Sequence, residues 1–353
     1  MKTFLMEHRR LLWLLLLAAL LIVAAGLRFY ELDRQSLWYD EGTSVGRAQR
    51  SLPDLIETMQ ANIHVPGYFA LLAGWEDLAG ASEFSLRAFS VFWSLLSIAL
   101  TYALGQRLYG PLAGLAAASF VAFNSFSIYY AQEARMYAML AAVVAAGFWV
   151  LAGFVRALSR PQIERASLLR WGAALAIINS VGVYTHYIYP LAMIAQGLLA
   201  AFWLAGLGFA GWRTGSLRIF GRALLVYVVA NLLTIAAFLP WLPIALRQIG
   251  GHGNTAQPIP LDELLRIVQG YLAFGPTFEE SMGGFGAVFY VLLLFGLLLL
   301  PDPRPRPVWR MLLPLVWLGV LLAGFLALDL YTRYLRFLTP AQIAVALWMG
   351  RGI

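Results

Sequence analysis

The feature that most constrains this chain is a repeated one: long apolar runs free of charge, most of them closed by arginine. Ten of these runs read as spans, at 11–27, 84–106, 111–130, 137–155, 171–187, 188–212, 223–243, 284–300, 311–328 and 338–350. A membrane-crossing helix takes about 20 apolar residues, and in lipid it must satisfy its own backbone hydrogen bonds. The expectation is therefore an all-α polytopic membrane protein of about 10 spans in one unit, 1–353. Composition agrees. Only 12% of the 353 residues are charged and 61% are hydrophobic, where a soluble domain carries about 25% charge. A soluble enzyme, a disordered chain and a disulfide scaffold are excluded. With no cysteine, thiol catalysis and cysteine-ligated metal are excluded too. The first run follows Lys2, Arg9 and Arg10, so it also fits a signal peptide, with Ala24-Ala25-Gly26 as a poor cleavage site.

The net charge of +7 sorts by side. With the N-terminus in the cytoplasm, the inside segments hold 15 of the 25 basic residues and only Glu7, Glu164 and Asp302 as acids. That gives +12 inside and −5 outside, the pattern of the positive-inside rule. Those inside arginines read as topogenic and lipid-facing, and no nucleic-acid partner is called for.

The outside is where the sequence is unusual. Topology does not require the long loop 28–83, and long loops tend to be functional. It holds Trp38-Tyr39-Asp40-Glu41. Ser51-Leu52-Pro53-Asp54 then reads as a capped helix start, running to about Ala61. The apolar piece 69–80, broken by Glu76 and Asp77, reads as a surface or re-entrant helix. A second loop, 244–283, carries Gly250-Gly251-His252-Gly253-Asn254 and an amphipathic segment near 261–272. It reads equally as a substrate gate or a plain connector. Two short turns place carboxylates and arginines among tyrosines: Gln132-Glu133-Ala134-Arg135-Met136-Tyr137, and Asp329 through Arg336. An aromatic belt with snorkelling charges accounts for most of those tyrosines. It accounts less well for Glu133 and Arg135, squeezed between two spans. A carboxylate at the membrane surface can also act as a general base for an acceptor hydroxyl, with aromatic neighbours stacking on a sugar ring.

In order and spacing, these motifs resemble the GT-C superfamily of integral membrane glycosyltransferases. The resemblance is to the bacterial branch of protein O-mannosyltransferases and lipid A aminoarabinose and galacturonic acid transferases. It is carried by Trp38-Tyr39-Asp40-Glu41, and by His64-Val65-Pro66-Gly67-Tyr68 with Ser82 to Arg87 after it. It continues through Gln132 to Tyr137, Thr185-His186-Tyr187, and Arg333-Tyr334-Leu335. The match runs over most of 10–345.

The resemblance implies a GT-C fold with short surface helices in the first external loop. It also implies inverting transfer from a polyprenyl-phosphate sugar to a lipid, glycan or protein acceptor. The site would face the outside of a bacterial inner membrane. Asp40 is carried over as the base, with Glu41 beside it and Glu133 as a second acid. Arg135, Arg333 and Arg336 are the candidates for the donor phosphate, of which only Arg333 matches a recurrent position. Trp38, Tyr39, His64, Tyr68, Tyr137, His186 and Tyr187 would orient substrate. A divalent metal bridging Asp40 and Glu133 stays open as the one cofactor. Two features depart from the pattern. Val65 stands where a proline is usual, and the chain stops at Ile353, where resembling proteins commonly run further, as expected of a shortened form or a fragment. A transporter or flippase of lipid-linked sugars, or a non-catalytic envelope scaffold, are the alternatives. Against transport, the span interiors are nearly free of charge and no inverted repeat is evident.

Overall fold

Arg28 closes the first helix, α1 (Lys2–Phe29), and is wholly buried. Its guanidinium donates to Ser94 Oγ at 2.9 Å and Ala122 O at 2.9 Å, and further to Ala24 O, Val121 O and Ser127 Oγ. Two of these acceptors are last-turn carbonyls of a later helix, which a cation satisfies well. The computed structural model describes residues 2–159, 164–251, 259–275, 291, 295–296, 307–330 and 332–353; the side chains of 2–7, 307, 332 and 333 are outside that description.

Three short helices fill the first loop: α2 (Tyr39–Ala48), α3 (Leu52–Gln60) and α4 (Gly67–Ala79). Ser51 caps α3, accepting from the Asp54 amide at 3.4 Å, with Pro53 in the first turn, as its motif predicts. Helix α4 begins against a later span, because a Cβ on Gly67 would come within 2.5 Å of Tyr184 O. It buries Tyr68, Phe69 and Leu72.

Next come α5 (Glu83–Tyr109), α6 (Pro111–Phe123), α7 (Ser125–Ala131), α8 (Tyr137–Ala157), α9 (Arg165–Thr185), α10 (Tyr189–Thr214) and α11 (Arg218–Phe238). The chain continues through α12 (Leu242–Gly251), α13 (Leu261–Phe274), α14 (Pro307–Ala327), a 3-10 helix (Thr332–Leu338) and α15 (Thr339–Arg351). Among the described residues, seven helices are long and apolar enough to cross a membrane, or eight if the pair α6–α7, bent by 60°, is one span. The protein is an integral, multi-pass membrane protein. The expected count of ten is not reproduced. The run 284–300 lies almost wholly outside the described residues. The run 338–350 forms α15, a helix of 13 residues buried by protein from Thr339 to Gly350. At 1.5 Å per residue its 13 residues rise about 20 Å.

The bend has a clear cause. Asn124 caps α7 by accepting from Phe126 N at 2.8 Å. Its amide donates to Leu272 O and Ala273 O, the last carbonyls of α13. Gly275, with φ +80°, then packs where a Cβ would meet Ser125 Oγ at 2.2 Å. Helix α8 forms the core, packed by α5, α9, α10 and α15. At one end, α2, the turn after α7 and the 3-10 helix converge. At the other lie Arg107, stacked 4.3 Å from the Trp149 ring, and Arg310, bonded to Leu108 O.

Candidate active site

The first of the two acids in the loop motif and the second are treated very differently. Glu41 is 1% exposed. Arg87, on α5, grips it with both ends of its fork, at 2.9 and 2.8 Å. The Ala134 amide donates to Oε1 at 2.9 Å and the Trp38 amide to Oε2 at 3.3 Å. Arg87 also reaches Leu32 O, Gln35 O and Ser36 O. One carboxylate therefore fixes the start of α2, the preceding loop and the turn that carries Glu133. Charge-assisted bidentate pairs of this kind are strong and geometrically exact. No lone pair of Glu41 is left to face a substrate.

Asp40, one residue earlier in the same turn, has its side chain 25% exposed. Its Oδ2 lies 3.4 Å from Arg336 Nη1 and 3.8 Å from Arg135 Nη2. Arg135 is 4% exposed and held from three sides. Nη1 donates to Asp40 O at 3.2 Å and Ser44 Oγ at 3.0 Å, and Nη2 to His64 Nε2 at 3.3 Å. Burial and the neighbouring guanidinium bring His64 down to about 4, so at neutral pH its ring accepts through Nε2. Its Nδ1 then carries the proton, toward Ile63 O.

Arg336 lies 5.4 Å from the centre of the Tyr137 ring and reaches into a cavity of about 990 Å³. Glu133, Trp38, Tyr129 and Tyr130 share the wall. Glu133 is 8% exposed, and its Oε2 is buried without a hydrogen-bond partner. Burial first, then the Glu41 carboxylate, push it up to about 7 against the pull of Arg336 and Arg135. Gln132 anchors this turn to α1 through Arg28 O and Tyr30 O.

Most of the expected residues gather here. Trp38 lines the cavity; Tyr39 beside it is 85% exposed. Tyr68 is buried against Phe69 and Phe89. His186, brought down to about 3 by burial, accepts from Ile188 N and packs 4.5 Å from the Phe337 ring. Tyr187 is drawn elsewhere: its hydroxyl donates to Gln248 and accepts from Trp241, tying α9 to α12. The Arg333 side chain and His252 lie outside the described residues. Sequence reading placed Arg87 in a motif but not in the site. Its spacing of 46 residues from Glu41 carries no local signal. Ser44, four residues after Asp40 on the same helix face, was legible from helical periodicity.

A divalent metal does not fit this donor set. Among the described residues, no three His, Asp or Glu side chains gather as ligands. Asp40 faces the guanidinium groups of Arg336 and Arg135 rather than a second acid.

A bundle with an acid pair on a helical first loop, a third acid on the turn after α7 and an arginine on the 3-10 turn before its last described helix shares its fold with solved membrane proteins. The chain is similar to ArnT from Cupriavidus metallidurans in the apo state, with TM-score 0.66 at 16% identity over 98% of this chain. For ArnT bound to undecaprenyl phosphate, the TM-score is 0.61 at 18% identity over 96%. For the oligosaccharyltransferase AglB from Archaeoglobus fulgidus, in complex with an inhibitory peptide and a dolichol-phosphate, it is 0.55 at 13% identity over 97%. The chain spans 60% of ArnT and 50% of AglB. No family model and no curated protein matches the chain.

Proposed function

We propose that the protein transfers a sugar from a polyprenyl-phosphate donor to a hydroxyl of a lipid, glycan or protein acceptor, with inversion at the anomeric carbon. One observation carries this reading. The first loop, a turn after α7 and the 3-10 helix before α15 bring Asp40 beside Arg336, and Arg336 and Glu133 into the wall of one cavity. An acid pair beside an arginine suits an oxocarbenium-like transition state with an anionic leaving group. That ArnT has been solved with undecaprenyl phosphate, and AglB with dolichol-phosphate, supports a lipid-phosphate donor.

In the reaction, the acceptor oxygen attacks the anomeric carbon and its proton passes to Asp40. The bond from that carbon to the phosphate oxygen breaks, and the electron pair leaves with the lipid phosphate. Arg336 stabilises the charge that develops there. Glu133 faces the sugar from the cavity wall. The Glu41–Arg87 pair acts by position, holding both acids' segments at once. Within the segment 244–283, of which 252–258 and 276–283 lie outside the described residues, the packing of α13 on the 3-10 helix that carries Arg336 supports a gating role. The positive-inside pattern supports a site on the external face with the N-terminus in the cytoplasm, and the sequence resemblance supports a bacterial inner membrane.

The test is Asp40→Asn in proteoliposomes given labelled undecaprenyl-phosphate sugars, followed as transfer to acceptor and as sugar released to water. Loss of both at unchanged protein level is expected. Undiminished transfer by the variant would remove Asp40 as the base.

A further inference from the structure

We infer that Asp40 is a resident stand-in for the donor phosphate on Arg336, and that the donor uncovers the base by taking this arginine away. The inference rests on the sugar-transfer reading above and adds an order of events to it.

The two arginines beside Asp40 differ in freedom. Arg135 is committed: both terminal nitrogens are taken by Asp40 O, Ser44 Oγ and His64. Arg336 is not. Its one side-chain acceptor among the described residues is Asp40, at 3.4 Å, a long contact for a charge-assisted bond. Its Nε is buried with no partner, as is that of Arg135, so the difference lies in the terminal nitrogens. Its side chain is 21% exposed and lines the cavity, whose lining does not include Asp40. The turn beneath it is irregular, since Tyr334 (φ −116°, ψ 18°) breaks the 3-10 helix two residues earlier. A guanidinium with unused donors, one weak anionic partner and a cavity in front of it is poised to exchange that partner.

A phosphate offers paired oxygens that match the fork of Arg336 better than one distant carboxylate oxygen. When it binds, Arg336 turns to it. Asp40 is left with Arg135 at 3.8 Å and gains an outward lone pair for the acceptor proton. Without donor, Arg336 occupies that lone pair and the base is masked. Donor therefore binds before the acceptor is activated. After transfer, the lipid phosphate must leave before Arg336 returns to Asp40. No bond is made or broken in the exchange; it is a swap of one anion for another on a single cation.

The distinguishing consequence is that removing Asp40 improves donor-side binding. Undecaprenyl phosphate itself, without sugar, is the probe, titrated into the full chain in lipid nanodiscs. Asp40→Asn is expected to tighten its binding by about five- to tenfold, the range of a modest coupling between two ligands of one group. The same substitution in an Arg336→Gln background is expected to change affinity little, because the competed cation is gone. Arg336→Lys, which keeps the charge, restores part of the effect and shows that the site still folds. If Asp40→Asn leaves affinity unchanged or weakens it, or tightens it equally in both backgrounds, the exchange is wrong while the transfer reading stands. If the wild-type chain does not bind undecaprenyl phosphate, both are wrong.

Discussion

The region around Glu41 and the region around Asp40 begin one residue apart and are built to opposite specifications. Around Glu41 every oxygen is used, the guanidinium is shared with three carbonyls, and the acid, though it borders the cavity, is only 1% exposed. Around Asp40 the contacts are 3.4 and 3.8 Å, a quarter of the side chain is exposed, and the facing arginine borders a cavity. The same pair of charge types serves as a rivet in one region and as an exchangeable contact in the other. What separates them is desolvation and the number of supporting hydrogen bonds, because a buried charge is stable only when every group around it is satisfied.

The contrast can be broken most forcefully at Arg87. Arg87→Met strands the Glu41 carboxylate in a dry site, and removal of one partner of a buried pair costs about 3–5 kcal/mol. A fall in the thermal unfolding midpoint in detergent, or loss of folded protein, is expected. A variant that unfolds like wild type would place Glu41 in the labile class. On the open side, Asp40→Asn is expected to lower transfer by about 10²- to 10⁴-fold, the usual worth of a general base. Its thermal midpoint should stay close to wild type. A large loss of stability would erase the distinction between the two acids.

Glu133 lies between the regions and sharpens the comparison through pH. Its folded value of about 7 lies above the ordinary 4.5. The unfolded chain therefore releases this proton first as pH rises, and stability present below about 4.5 is lost on the way up to about 7. The loss amounts to roughly 3 kcal/mol for a buried acid shifted this far. Glu133→Gln should flatten the thermal midpoint between pH 5 and about 7, and an unchanged slope would put the titration elsewhere. The smallest expected effect is at His64, whose value is lowered rather than raised. There the native state resists protonation, so stability is lost as pH falls from about 6.5 toward 4. His64→Leu removes that acid-side slope. It also takes one acceptor from Arg135 and costs about 2 kcal/mol, as hydrogen bonds to charged groups do. The midpoint at pH 5 relative to pH 8 measures both.

Local rules made much of this legible in the sequence. Ser51, Pro53 and Asp54 announce the start of α3, and the apolar runs announce the spans. The gathering of Asp40, His64, Glu133 and Arg135 came from resemblance, since the contacts joining them bridge 71 and 95 residues. Which of Asp40 and Glu41 is sealed was not readable, because the answer lies in Arg87 on another helix. What buries the helix at 339–351 was not readable for a related reason: a segment buried by protein is as apolar as one buried by lipid. Tyr187 stood in a promising motif, yet its partners Trp241 and Gln248 lie 54 and 61 residues downstream.

The buried arginine at the end of α1 has a consequence for biosynthesis. Its partners outside α1 lie 66 to 99 residues further along the chain. A polypeptide made from its N-terminus thus carries this cation into the bilayer surface long before Ser94, Ala122 and Ser127 exist to receive it. Until the bent pair has been inserted, hydration and lipid phosphates are the partners open to that charge. Only then can the first helix close against the bundle, and Gln132, which hangs from the carbonyls of Arg28 and Tyr30, can take its place. The turn bearing Glu133 is in this sense completed by a segment made about 100 residues before it.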